Sequence, residues 1–260
     1  MRWCRFDDEG EPRCGIIEGD LIVAVEGEPW GEYRRTDLVR PLNATRLLVP
    51  VVPPTFYAAG VNFREHVIEV ARTQGVEPQF PPRADVGYRA NNALIADGEP
   101  IVIPKDATEL VQYEGELVAV IGKRCRNVSE ADALDYVLGY TIGNDVSERN
   151  WQRDDRTLFR AKNSDTFKPM GPWIETDLDP AALEVAIRLN GSEVYRYRIA
   201  DAIFSLQQFI SRTSQYITLH PGDVLWMGTD GPTENMRDGD IVEIEVPGIG
   251  VLHNPVVKER

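Results

Sequence analysis

Short runs of β-branched and aromatic residues, broken by Gly, Pro or Asn, recur along this 260-residue chain, while helical periodicity is rare. Strand and helix do not alternate over consecutive units, which a doubly wound parallel sheet requires. The pattern therefore predicts an α+β fold, mostly β. At this length one large domain, or a large domain with a small appendage, can bury a core.

The first 50 residues read as a small β-rich unit, with a hairpin about Glu18-Gly19-Asp20. RLLVPVVPPT reads as a linker, because Pro53 and Pro54 favour extended backbone. The larger domain is expected over residues 51–260. Its first strand, Phe56–Ala59, leads into a helix with Asn62 as N-cap, Glu65 completing a capping-box variant and Gly75 at the far end. The proline-rich stretch VEPQFPPRADVG follows, so about residues 61–83 read as a lid.

Further on, Glu116–Ile121 reads as a strand, and SEADALDYVLGY as a short helix capped by Ser129 that leads into a strand at Tyr140–Asn144. Asn190-Gly191 between Val185–Leu189 and Glu193–Arg198 is a strong hairpin signal. Residues 205–216 fit a helix with a Ser205/Gln208 capping box. Strands are expected at Val224–Met227, Ile241–Val246 and Gly250–His253.

The charge balance excludes several functions. With 42 acidic against 28 basic residues and a net charge of -14, the chain lacks the clustered Lys and Arg that phosphate backbones require. Nucleic acid and anionic membranes are disfavoured as partners. No run approaches the ~18 apolar residues of a membrane span. Three cysteines without a CxxC argue against a disulfide framework and a thiolate zinc site. A cytoplasmic location is expected.

The residues that carry chemistry are mostly acidic. Glu114 and Glu116 flank Gly115 at the start of a strand, and side chains at i and i+2 share a face. Like charges this close repel unless a cation lies between them. Asp145 follows the strand at 140–144 and offers a third carboxylate. Three hard oxygen ligands suit Mg²⁺, Mn²⁺ or Ca²⁺ rather than zinc. An exposed acidic strand end would account for the same residues. His66 and Glu69 lie three apart on the lid helix, the spacing of a general-base pair and equally of an exposed polar pair. Lys162, Arg89, Gln152 and Thr229 are not distinguished by their surroundings from ordinary surface residues. Gly228 and Gly231 around Thr229 suggest a tight turn whose amides approach an anion. His220, His253, Trp151 and Trp173 read as structural.

Six segments, GVNFREHVIE, YEGELVAVIGK, LGYTIGNDVSERNWQ, RAKNSDTFKPMGPWI, TLHPGDVLWMGTDG and GDIVEIEVPGIGVLHNPV, occur in order from about residue 56 to the C-terminus. In these the chain resembles the fumarylacetoacetate hydrolase family. The resemblance implies a mixed β-roll catalytic domain with a small N-terminal domain, usually a homodimer. It implies one Mg²⁺ or Mn²⁺ held by Glu114, Glu116 and Asp145, with His66 and Glu69 as a water-activating dyad. It also implies that Lys162 meets substrate and developing charge, that Gln152 lies beside the metal, and that Thr229 binds a substrate carboxylate. Phe63, Arg89 and Asp230 depart from the family pattern, where tyrosine, lysine and proline are common, and point to a different substrate.

The activity that follows is hydrolysis of a C–C bond in an acylpyruvate-like diketo acid through a metal-stabilised enolate. Decarboxylation or isomerisation of a 2-oxo or 2-hydroxydienoic diacid comes second and sugar-acid dehydration third. A metal-stabilised protein that only binds is the reading from a different class. The family hosts all three reactions, so fold alone does not choose among them.

Overall fold

The structure, a computed structural model, describes residues 1–260, the side chains of Thr73 and Gln74 excepted. Strand takes 42% of the chain and helix 18%, so the mostly-β α+β expectation holds. The first four strands, β1 (Arg2–Asp8), β2 (Glu11–Glu18), β3 (Leu21–Gly27) and β4 (Tyr33–Pro41), form an antiparallel meander where the sequence reading had seen one hairpin. The elements that follow are β5 (Phe56–Ala59), α1 (Arg64–Gln74), β6 (Gly115–Ile121), β7 (Val137–Asn144), α2 (Arg149–Asp154), α3 (Phe159–Asn163) and β8 (Lys168–Glu175). Then come β9 (Glu184–Leu189), β10 (Ser192–Arg198), α4 (Leu206–Tyr216), β11 (Val224–Trp226), β12 (Ile241–Val246) and β13 (Gly250–Lys258). Shorter strands are named by range.

The larger sheet runs β4-β3-β2-β1-β8-β7-β6-β11-β5 and ends at Val86–Tyr88. The meander joins it where Arg2 and Trp3 pair with Glu175 and Ile174 of β8. The expected linker also takes part: Leu47–Leu48 pairs with β1. A five-stranded sheet runs β10-β9-β12-β13 and ends at Ile101–Ile103, and Val111–Gln112 pairs with Ser147–Glu148 in a separate sheet of two strands.

Alternation along β6 decides which way its side chains face. Leu117, Ala119 and Ile121 share a core with Val185 and Ile187 of β9, Ile244 of β12 and Leu252 of β13. Val118 and Val120 pack on the other face with Phe56 and Trp226. At Gly115 the large sheet packs tightly on the five-stranded one: a Cβ there would lie 2.9 Å from Ile187 Cγ1 and 3.1 Å from Ile244 Cγ2. Gly115→Ala is therefore expected to destabilise the fold by about 1–3 kcal/mol, read as a lower urea midpoint. An unchanged midpoint would mean the sheets separate freely there.

Gly75 closes α1 in the left-handed region (φ 66°), and the Ser205/Gln208 capping box forms. Asn190 and Gly191 take positive φ in their hairpin, at 55° and 77°. Asn62 is not the N-cap of α1. Phe63 holds that place with no side-chain bond. The Asn62 amide instead braces two distant segments, donating to the carbonyls of Phe204 (3.1 Å) and Met227 (2.9 Å) and accepting from Phe204 N–H at 2.9 Å. Long-range bonds outcompeted a local cap. Ser129 caps no α-helix: its hydroxyl donates to Asp132, and a 3₁₀ turn at Ala133–Tyr136 leads into β7. The last strand continues to Lys258, beyond the expected His253, because β12 and Ile101–Ile103 pair along it.

Candidate metal centre and active site

Glu114 stands just before β6, Glu116 within it and Asp145 just after β7. The two strands are antiparallel neighbours, with Gly115 opposite Asn144. Their ends are tied together: Glu114 N–H donates to Asn144 Oδ1 (2.9 Å) and Asp145 N–H to the Glu114 carbonyl (2.8 Å). One oxygen from each of the three buried carboxylates lies within 4.8 Å of the others.

Four basic side chains surround this triad. Lys162, from α3, donates to Glu114 Oε2 and Asp145 Oδ2, both at 2.7 Å. Arg89 holds Asp145 through Nε (3.1 Å) and Nη2 (2.9 Å). Lys168 is fully buried, with Nζ 2.7 Å from Asp145 Oδ1, 3.0 Å from the Val146 carbonyl and 2.8 Å from the Phe167 carbonyl. Arg149 Nη1 lies 2.6 Å from Glu114 Oε1. It also donates to Gln152 Oε1 at 3.0 Å, and its Nε to Gln112 Oε1 at 2.7 Å.

The charges sort the carboxylates. Burial raises the pKa of Glu114, but Lys162 and Arg149 outweigh it and hold the group at about 2. Asp145 is likewise desolvated, yet Arg89, Lys162 and Lys168 keep it well below the usual carboxylate range. Glu116 goes the other way. Burial, then the charges of Asp145 and Glu114, push it well above that range, and its one hydrogen bond here comes from Gly228 N–H at 2.8 Å. Burial draws Lys168 down to about 7 against the pull of Asp145. The three oxygens around its Nζ match the three N–H donors of an ammonium, so the charged form is assigned at neutral pH.

The triad suits a divalent ion. Its donors are hard oxygens that converge, and Glu116 has no basic side chain against it to favour its ionised form, which a bound cation would do. Beside it, Thr229 Oγ1 is buried without a hydrogen-bond partner. Mg²⁺ and Mn²⁺ both fit such a set.

His66 enters from α1. Its Nδ1 lies 3.3 Å from the Gly231 carbonyl and its Nε2 3.9 Å from Glu114 Oε1. Burial lowers its pKa, opposed by Glu114. Its backbone N–H donates to Asp230 Oδ1 at 3.1 Å, so Asp230 serves the first turn of α1 in place of a local cap. Glu69 is not on the imidazole in this structure. Its carboxylate takes the Arg72 guanidinium, at 2.9 and 2.7 Å. Gly228 and Gly231 both take positive φ, at 87° and 74°, and the anion that the Gly228 amide meets is Glu116.

The structure thus gathers Glu114, Glu116, Asp145, Lys162 and Arg89 at one point, with His66, Gln152 and Thr229 beside them and Glu69 turned to Arg72. Sequence reasoning missed Lys168 and Arg149. A lone lysine heading the apolar stretch KPMGPWI was a usable signal for the first, and the three-residue spacing of Arg149 from Gln152 for the second.

The fold thus buries three carboxylates among four basic side chains. Comparison with known proteins gives the family. Residues 55–257 match the model described as fumarylacetoacetate (FAA) hydrolase C-terminal, and residues 1–50 match Rv2993c-like, N-terminal. The chain belongs to the fumarylacetoacetate hydrolase family. It is 38% identical, over 96% of its length and 58% of the relative's, to an Escherichia coli 4-hydroxyphenylacetate degradation bifunctional isomerase/decarboxylase. The structure of a Mycobacterium smegmatis 5-carboxymethyl-2-hydroxymuconate delta-isomerase superposes over the whole of both chains with a TM-score of 0.90 at 38% identity. A Sphingobium maleylpyruvate hydrolase, in complex with manganese (II) ion and pyruvate, superposes over the whole of both chains with a TM-score of 0.79 at 26% identity. Among the described residues, no helix is long and apolar enough to cross a membrane.

Proposed function

We propose that this chain is a divalent-metal-dependent enzyme that moves a proton on a 2-oxo dicarboxylic acid, interconverting enol and keto forms. The observation that carries this reading is the setting of His66. A carbonyl faces its Nδ1, which fixes the N–H there and leaves the Nε2 lone pair toward the triad. A neutral, largely buried imidazole with that tautomer is a base for a C–H proton.

Bound by Glu114, Glu116 and Asp145, Mg²⁺ or Mn²⁺ supplies Lewis acidity toward a 2-oxo carboxylate. Lys162 donates to the oxygen that gains negative charge. Arg149 and Gln152 pair with the second carboxylate. The lid carries His66, so its position sets when the base meets substrate.

C–C bond hydrolysis, the first expectation from sequence, becomes the second reading. What favours it is Glu69, one turn from His66 on the same helix, together with the likeness to a maleylpyruvate hydrolase. Hydrolysis needs an activated water, and the Glu69 carboxylate would have to leave Arg72 to support it.

The test adds Mn²⁺ or Mg²⁺ back to metal-stripped protein with oxaloacetate, a 2-hydroxydienedioate and an acylpyruvate. A mass-neutral shift with proton exchange at the carbon beside the keto group is expected. Metal-dependent release of pyruvate with a free acid as the sole reaction would sink the isomerase reading in favour of hydrolysis. His66→Ala is expected to cost about 10²–10⁴-fold in kcat. Glu69→Gln should cost less than about tenfold, whereas a loss matching that of His66→Ala would restore the dyad.

A further inference from the structure

The four cations differ in how they are anchored. Lys168 also donates to two carbonyls, Arg89 to the Tyr88 carbonyl, and Arg149 to Gln112 and Gln152. Among the described residues, Lys162 alone of the four places its side-chain hydrogen bonds entirely on triad oxygens, Glu114 Oε2 and Asp145 Oδ2, both at 2.7 Å. It extends from α3, a helix of five residues, and only 7% of its side chain is exposed. The other oxygens of the same carboxylates are also engaged: Glu114 Oε1 by Arg149, and Asp145 Oδ1 by Lys168 and Arg89.

Resting on the reading that the triad holds a divalent ion, we infer that Lys162 is a tethered competitor for that ion. Its ammonium draws on the lone pairs of two of the three ligands, and like charges a few ångströms apart repel strongly where water is excluded. Lys162 therefore weakens metal binding. The same competition frees its N–H donors for a substrate oxygen when the carboxylate lone pairs are shared with an ion, so affinity for metal is traded for a cation ready to meet the substrate. Arg89 and Lys168, pinned by other acceptors, keep Asp145 oriented in either case.

The experiment measures Mn²⁺ affinity of the metal-stripped full chain at pH 8, without substrate, by calorimetry and by loss of the free-ion electron paramagnetic resonance signal. Lys162→Met and Lys162→Gln should each bind Mn²⁺ about tenfold more tightly than the parent, or better. Lys162→Arg, which keeps the charge, should stay within about twofold of the parent. Circular dichroism identifies any variant that fails to fold, and the neutral variant that does fold decides the matter. Affinity equal to or weaker than the parent's in the folded neutral variants overturns the inference and leaves the metal site intact. Absence of Mn²⁺ binding in the parent and in every variant overturns the metal reading itself.

Discussion

Glu116→Gln is expected to abolish Mn²⁺ binding and cut turnover by about a thousandfold or more, yet leave the metal-stripped protein as stable as the parent or more so. A thousandfold is about 4 kcal/mol of transition-state stabilisation, within what a bound Lewis acid supplies. The stability half follows from position. Glu116 is buried, receives one hydrogen bond from Gly228 N–H and is crowded by Asp145 and Glu114. A neutral amide keeps an acceptor for Gly228 and, unlike the carboxylate, can never be ionised against Asp145 and Glu114. Calorimetric titration with Mn²⁺ and a thermal melt of the stripped protein check the two halves together. A stripped variant that melts well below the parent would show that Glu116 is a structural residue, and undiminished Mn²⁺ affinity would remove it from the ligand set.

The second large effect concerns the fold. Lys168→Met should lower stability by about 3–5 kcal/mol, the cost of breaking a buried ion pair on one side, and the melting temperature by about 10 °C. Methionine nearly matches lysine in length, so little of the loss would come from an empty space. It would come from the Val146 and Phe167 carbonyls each losing a donor, with Phe167 keeping only Val146 N–H, and from Asp145 losing a cation at 2.7 Å. Denaturant unfolding measures it. A variant as stable as the parent would mean that Arg89 and Lys162 alone satisfy Asp145.

The triad was legible in the sequence because strand alternation is a local rule. Glu114-Gly115-Glu116 puts two carboxylates on one face and a bare backbone on the other, and Ile187 and Ile244 do close on Gly115. Hairpins and caps set by neighbouring residues, such as Asn190-Gly191 and Ser205 with Gln208, were readable for the same reason. Interactions across long separations were not. Asn62 gave up the cap for partners about 142 and 165 residues away. Lys168 looked like an ordinary lysine because its acceptors, two carbonyls and a carboxylate, only converge after β7 and β8 pair. The turn of Glu69 toward Arg72 is a rotamer choice on one helix, to which residue spacing is blind.

The parallel pairing of β5 with β11, Phe56 beside Val224 and Ala58 beside Trp226, bears on the order of assembly. The carboxylates and both lysines fall between residues 114 and 168, and their strands are near neighbours in the chain. His66 and Gly228 lie on either side of that stretch in the chain and meet only when β5 and β11 close a loop of well over a hundred residues. Closure of that size is slow relative to local pairing. The charged cluster can therefore form before His66 reaches it, and in a nascent chain the full set of side chains comes together only after β11 has left the ribosome.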